Sequence, residues 1–322
     1  MEYMNLGLSG LKVSRVAIGS WLTYGSAVHK EQTAACIRAA LDHGVILVDT
    51  ADIYARGAAE SVLGEVLQGV RRQDVVLATK AFWPMTDNPN DRGLSRKHLF
   101  ESVHGSLERL RTDYVDLFQC HRYDHETPVA ETVRAMGDLI RQGKVLYWGV
   151  SCWRAEQILD ACRLADQLGV PRPISNQPPY SLLARDIEQE VIPVCEREGV
   201  GQIVWSPLAQ GVLTGKYSGG QRPSGSRAAD EQRNVFMGRF LDDDVLDRVD
   251  RMVEIAGDLG VTPAQLALAW ALRIDNVTSV IVGATRPEQV IDNVEAADIE
   301  LEADVLIALE ELFPGPEDLP EL

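Results

Sequence analysis

The sequence predicts a (β/α)8 TIM barrel built as a single domain over residues 1–322, with an N-terminal β-hairpin and extra C-terminal helices. Three observations predict it. Apolar runs of strand length alternate with amphipathic stretches of helix length, eight times along the chain. Several of these runs, such as VILV at 45–48, are apolar without alternation, as strands buried on both faces are. The rival fold, a doubly wound sheet, lacks its dinucleotide fingerprint: Gly199-Val200-Gly201 begins a G-x-G-x-x-G but Val204 holds the last place.

In chain order, apolar residues at 4–6 and 11–13 flank the turn Gly7-Leu8-Ser9-Gly10, a small hairpin before the main fold. Residues 16–19 form the first barrel strand. Helix 30–43 leads to a strand ending at Asp49, and helix 59–68 to a strand at 75–78 ending in Lys80. Helix 95–110 stacks Leu99, Val103, Leu107 and Leu110 on one face and leads to strand 115–119. Helix 129–142 closes at Gly143, a C-terminal cap signal. Strand 145–151, helix 155–168, a strand ending in Ser175-Asn176-Gln177, helix 187–198 and strand 202–205 follow. A glycine-rich segment, 207–240, breaks the rhythm. Helices 242–259 and 264–273 come next, the second opened by Thr262-Pro263 and Gln265 as a capping box. Strand 280–282 and helices 287–296 and 303–312 complete the pattern.

Composition narrows the function classes. Hydrophobic residues make up 45% and charged residues 25% of 322, the balance of an ordinary globular protein. Net charge is -17, which argues against nucleic acid or an anionic membrane as partner. Cys36, Cys120, Cys152, Cys162 and Cys195 show no C-x-x-C spacing and read as free thiols. The opening MEYMNLGLSG has no basic region followed by an apolar one, and no run approaches the ~20 apolar residues of a membrane span. A cytoplasmic protein is expected. No metal is expected either: His121 and His125 are four apart, but there is no H-E-x-x-H and no third ligand.

Three apolar strands deliver Asp49, Lys80 and His121 to their C-terminal ends, with Tyr54 in the loop after Asp49. In parallel α/β folds that end carries the chemistry. Singly, an acid or a lysine at a strand end is more often a salt bridge; together the four residues describe a site. A tyrosine holds its proton to pH ~10 and becomes a usable acid when an adjacent cation favours the phenolate. Lys80 is the expected cation, Asp49 its counter-charge, and His121 a donor that orients a carbonyl oxygen. No side chain supplies a hydride, so a cofactor must. Lys80 as a Schiff-base lysine is an alternative chemistry. Trp21, Phe82 and Trp83 follow strand ends and are candidates for the wall of an apolar substrate pocket. The segment 207–240 carries Lys216, Arg222, Arg227, Arg233 and Arg239 against Asp230 and Glu231, a basic stretch in an acidic chain that suits an anion clamp.

The motifs VDTADIYARGAAESVLGEVL (48–67), TKAFW (79–83), SLERLRTDYVDLFQCHR (106–122), ETVRAMGDLIRQGKVLYWGVS (131–151), WSPLAQGVLTGKY (205–217) and VGATRPEQVIDN (282–293) carry a resemblance over almost the whole chain. It resembles the aldo-keto reductases, in the branch of the voltage-gated potassium channel β subunits and related bacterial aldehyde reductases. The resemblance implies a (β/α)8 barrel that reduces aldehydes or ketones with NADPH through a tetrad on Asp49, Tyr54, Lys80 and His121. The channel β subunits generally lack the histidine, so its presence favours an enzyme over the alternative, a nucleotide-sensing regulatory subunit. The resemblance further implies cofactor contacts at Ser20, Trp21, Asp49, Ser151 and Gln177, with Trp205 stacked on the nicotinamide. Ser206, Pro207, Leu208 and Lys216 match the pyrophosphate segment, and Ser226 and Arg227 a loop near the adenosine. Gly283, Thr285, Gln289, Asp292 and Asn293 match the adenosine site, with Arg286 beside a 2′-phosphate. One departure is Cys152, where many members have Asn, which sets a thiol beside the redox ring. The implied partner is a small carbonyl compound. Related reductases occur as monomers and larger assemblies, which leaves a homo-oligomer open.

Overall fold

The computed structural model describes residues 1–21, 23–24, 30–224, 226–230, 234 and 237–316, with Arg239 in its backbone alone. Strands β1 (Tyr3–Asn5) and β2 (Lys12–Ser14) form the expected antiparallel hairpin. Eight parallel strands then close a barrel: β3 (Val16–Gly19), β4 (Leu47–Asp49), β5 (Val76–Ala81), β6 (Val115–Cys120), β7 (Val145–Val150), β8 (Ser175–Asn176), β9 (Gly201–Trp205) and β10 (Val277–Val282). Each pairs with the next, and β10 returns to β3. The helices are α1 (Lys30–Asp42), α2 (Ala58–Val66), α3 (Arg96–Leu110), α4 (Val129–Arg141), α5 (Ala155–Leu168), α6 (Val191–Glu198), α7 (Asp243–Asp258), α8 (Pro263–Leu272), α9 (Pro287–Glu295) and α10 (Ala303–Leu312). Among the described residues, no single helix is long and apolar enough to cross a membrane.

Local chemistry accounts for several boundaries. Ser95 caps α3 through His98 N, and Thr262 caps α8 through Gln265 N while the Gln265 side chain returns to Thr262 N. Helix α6 is shorter than the expected 187–198. Pro193 has no N–H, so it is tolerated only in a helix's first turn, and α6 starts two residues before it. The preceding residues form a separate turn, Asp186–Glu188, whose Glu188 accepts hydrogen bonds from Tyr180, Arg185 and Arg273.

Side-chain parity positions the site. Successive residues of a strand face opposite sides, so i and i+2 share a face. Ala17, Leu47, Val76, Ala78, Leu117, Ile203 and Ile281 pack together inside the barrel, while Ile18, Val48, Leu77, Phe118 and Val204 join the larger core under the helices. Leu6 and Val13 of the hairpin pack into the inner cluster, and Leu8 N donates to Gly199 O just before β9, so the hairpin plugs the N-terminal end. Counting by twos toward the other end gives Leu47 to Asp49, Ala78 to Lys80, Leu117 to Gln119 and His121, and Ile203 to Trp205. The register pairs Asp49 with Ala78 and Lys80 with Gln119, so the polar tips follow the apolar interior layer toward the C-terminal end of the barrel. Interior space is tight there: a Cβ on Gly149 would lie 2.1 Å from Ser175 Oγ.

A second polar network braces the loop after β4 from behind. Glu60, with no exposed surface, accepts from Thr79 Oγ1 and from Arg109 Nε, each at 2.6 Å. Asp52 accepts from Ser102 Oγ at 2.8 Å, and its N–H donates to Lys80 O at 3.2 Å. Arg109 lies directly under Gly57, where a Cβ would meet its Cδ at 2.8 Å and where φ is +86°. Removing Arg109 leaves the buried Glu60 carboxylate without its counter-charge. Arg109→Met is expected to destabilise the protein by about 3 kcal/mol, read as a lower urea midpoint at unchanged slope. An unchanged midpoint would mean the pair contributes nothing to stability.

Candidate active site

Lys80 is fully buried. Its Nζ donates to Asp49 Oδ2 at 2.6 Å, to Thr50 O at 2.7 Å and to Tyr54 Oη at 3.4 Å. That uses all three of its protons. Burial pulls the Lys80 pKa down, and the Asp49 carboxylate opposes the shift. The other Asp49 oxygen, Oδ1, accepts from Gln177 Nε2 at 2.8 Å, so both carboxylate oxygens are held.

Tyr54 stands above this pair. Burial raises its pKa well above the ordinary value, Asp49 adds to the rise, and Arg122 opposes it. The phenol is therefore firmly protonated, as a proton donor must be before reaction. The His121 ring meets Tyr54 edge-on, with centroids 5.7 Å apart. Burial, then Lys80 and Arg122, push the His121 pKa well below its usual value, so the imidazole is neutral. Its Nδ1 is enclosed without a partner, which leaves Nε2 for the cavity. The four residues expected to act together are thus brought together.

Asp49, Tyr54 and His121 line an open cavity of about 880 Å³, and Lys80 is buried behind Asp49 and Tyr54. Of the residues expected to contact a cofactor, Trp21, Asp49, Ser151, Gln177, Trp205, Ser206, Pro207, Leu208, Lys216, Ser226, Arg227, Gly283, Thr285, Gln289, Asp292 and Asn293 all line it. Two do not. Ser20 is buried beneath the rim, where its hydroxyl donates to Thr50 Oγ1 at 2.8 Å. Arg286 is exposed at the N-cap of α9, between Thr285 and the helix. Trp83 lines the cavity and Phe82 does not, although the two rings touch. Of the basic residues in 207–240, Lys216 and Arg227 line the cavity, Arg222 does not, and Arg233 and the Arg239 side chain lie outside the described residues.

Sequence reasoning missed three residues. The Thr50 carbonyl takes one proton of Lys80, and a backbone carbonyl leaves no trace in a sequence. Gln210 lines the cavity, donates from its backbone N–H and its Nε2 to Ser206 Oγ, and accepts at Oε1 from Arg227. Arg122 lines it beside His121, and its place directly after a strand-end histidine was the available signal. Backbone strain marks the same region. Among the described residues, six of the seven non-glycine residues with positive φ (Ala55, Arg56, Cys152, Ser206, Ala209 and Gln210) lie in loops after β4, β7 and β9. Cys152, with φ of 55°, occupies a conformation that Asn tolerates better than most residues. Gly211 has no alternative: its φ is +93°, and a Cβ would lie 2.6 Å from Lys216 Nζ.

The comparisons agree with this geometry. The model of the aldo/keto reductase family matches residues 15–313. A protein from Arabidopsis thaliana named "Probable voltage-gated potassium channel subunit beta" is 47% identical over 302 residues, covering 93% of this chain and 92% of its own. A protein of the same name from Oryza sativa subsp. japonica matches equally, at 47% over the same coverage. A Schizosaccharomyces pombe protein, also named as a voltage-gated potassium channel subunit beta, is 41% identical over 96% of this chain and 92% of its own. The closed barrel, the buried lysine–aspartate pair under a tyrosine and a family match over nearly the full length converge, and the chain belongs to the aldo/keto reductase family.

Proposed function

We propose that the protein is an NADPH-dependent reductase that converts aldehydes or ketones to alcohols. The observation that carries this reading is the sharing of the buried Lys80 Nζ between Asp49, Thr50 O and Tyr54 Oη, of which Asp49 and Tyr54 line the cavity. Tyr54 donates its proton to the carbonyl oxygen as negative charge develops there. The Lys80 proton facing Tyr54 Oη then stabilises the phenolate, and Arg122 adds positive charge nearby. Asp49 offsets the cost of burying the Lys80 ammonium and, held by Gln177, fixes its direction. His121, neutral, donates to the carbonyl oxygen and sets its orientation without competing for the proton.

The cavity suits a dinucleotide. Its lining includes Ser151, Gln177 and Trp205 as well as Gln289, Asp292 and Asn293. Lys216 and Arg227 supply cations to the same lining, in a chain of net charge -17. The nicotinamide, when bound, supplies the hydride. Ser151, Gln177 and Trp205 would hold the nicotinamide, Ser206, Pro207, Leu208 and Lys216 the pyrophosphate, and Gly283, Thr285 and Gln289 the adenosine.

A second reading, a nucleotide-sensing regulatory subunit, is favoured by the names of the relatives at 41–47% identity. Turnover separates the two. Reduction of a panel of aldehydes, followed by NADPH absorbance, is expected for the enzyme, and tight NADPH binding with no turnover for the regulator. Tyr54→Phe is expected to lower the rate about 10²–10⁴-fold with little change in NADPH affinity. A variant keeping about half or more of the wild-type kcat would show that Tyr54 is not the acid.

Cofactor choice is tested separately. Arginine grips phosphate through paired hydrogen bonds, and the N-terminus of α9 favours an anion. Arg286→Ala is expected to weaken NADPH about ten- to a hundredfold and leave NADH nearly unchanged, measured by fluorescence titration. Equal losses for both nucleotides would assign Arg286 a structural role.

A further inference from the structure

The cavity wall holds a cation, Arg122, that has no counter-charge among the described residues. Arg122 is half-buried on the cavity wall, next to His121. Its Nη1 donates to His121 O at 2.5 Å, and its guanidinium carbon lies 5.6 Å from the centre of the Trp83 ring. Among the described residues, no carboxylate lies within ion-pair distance of it. Other arginines in this acidic chain do have one: Arg72 pairs with Asp116, Arg109 with Glu60 and Arg185 with Glu188. The acids near Arg122 are already engaged. Asp49 is held by Lys80 and Gln177. Asp124, two residues on, accepts from the backbone N–H groups of Leu94 and Glu126 and from the Thr127 hydroxyl. The Arg122 charge also reaches the reacting groups, opposing protonation of Lys80 and His121 and favouring the Tyr54 phenolate.

Trp83, 37% exposed and edge-on to His121 at 6.3 Å, gives the guanidinium an aromatic neighbour. One carbonyl takes part of its donor set, and the planar fork has more donors to offer. A partly desolvated arginine in this position is satisfied when a ligand brings an oxyanion.

We infer that Arg122 determines substrate specificity, and that the preferred substrate is a short-chain aldehyde carrying an oxyanion, carboxylate or phosphate, a few bonds from its carbonyl. This rests on the carbonyl-reductase reading and deepens it. The aldehyde carbon faces the tetrad, and the oxyanion lies against Arg122, with Trp83 beside the chain between them.

The test compares butanal, 4-oxobutanoate and 3-oxopropyl phosphate as substrates of the full-length protein with NADPH, for wild type, Arg122→Met and Arg122→Lys. Wild type is expected to prefer at least one anionic aldehyde over butanal about tenfold or more in kcat/KM. The two anionic arms distinguish carboxylate from phosphate. Arg122→Met is expected to collapse that ratio toward one, mainly through KM, and Arg122→Lys to restore part of it. Any effect of Arg122 on Tyr54 falls on all three substrates alike and cancels in the ratio. A wild type without preference, or a variant that lowers all three rates by one factor, overturns the inference. If no aldehyde is reduced, the reductase reading fails, and the anion site is read by tryptophan fluorescence titration with butyrate and inorganic phosphate. Binding to wild type that Arg122→Met abolishes upholds the site; equal binding by both, or binding by neither, overturns it.

Discussion

An ammonium group with no exposed surface must be compensated from within, and here the compensation comes from one carboxylate and one carbonyl on the neighbouring strand. Lys80 on β5 reaches Asp49 and Thr50 at the end of β4. The residual donor direction is toward Tyr54, in the loop that β4 launches. Desolvating such a pair costs several kcal/mol per ion unless the geometry is good and the remaining donors and acceptors are satisfied. Gln177, from the end of β8, meets that condition across the barrel. The closed sheet therefore does more than support the site. A shift of one residue in the β4–β5 register would turn Asp49 or Lys80 out of the barrel interior and leave an unpaired charge.

The surroundings follow from that constraint. The loop carrying Tyr54 passes through two residues of positive φ, Ala55 and Arg56, before Gly57 starts α2. Such a path persists only when neighbours over-determine it. The Glu60–Arg109 pair and the Asp52–Ser102 bond supply this from the helix side. Further around the mouth, Ser206, Ala209 and Gln210 adopt similar conformations where the chain leaves β9, beside the cations Lys216 and Arg227. Asp49 and Lys80 thus sit on strand ends and Tyr54 in a braced loop, while the segment beside the proposed pyrophosphate site is built of short turns with positive φ.

Much of this was legible in the residues because it depends on periodicity. The apolar run at 45–48 ending in an acid, and the run at 75–78 ending two residues before a lysine, marked two barrel strands and their polar tips. Capping chemistry at Thr262 marked a helix start. What was not legible depends on three-dimensional contact. Lys80 lies within β5 rather than beyond it, because interior parity continues past the apolar run. The helix expected over 187–198 is divided, because Pro193 fixes where α6 begins and Glu188 is drawn into a cluster with Tyr180 and Arg273. The Thr50 carbonyl's bond to Lys80, and the lack of a carboxylate beside Arg122 among the described residues, emerge only when the loops are folded over one another.

The central claim is that Tyr54, Lys80, Asp49 and His121 form a site for direct reduction of a carbonyl. The most direct measurement is isotopic: NADPH deuterated at the reactive C4 position is supplied with an aldehyde, and the alcohol is analysed by NMR. The account predicts one deuterium on the carbinol carbon and a hydroxyl proton drawn from solvent. Nucleotide binding with no labelled alcohol, or alcohol formed without deuterium at that carbon, would contradict it.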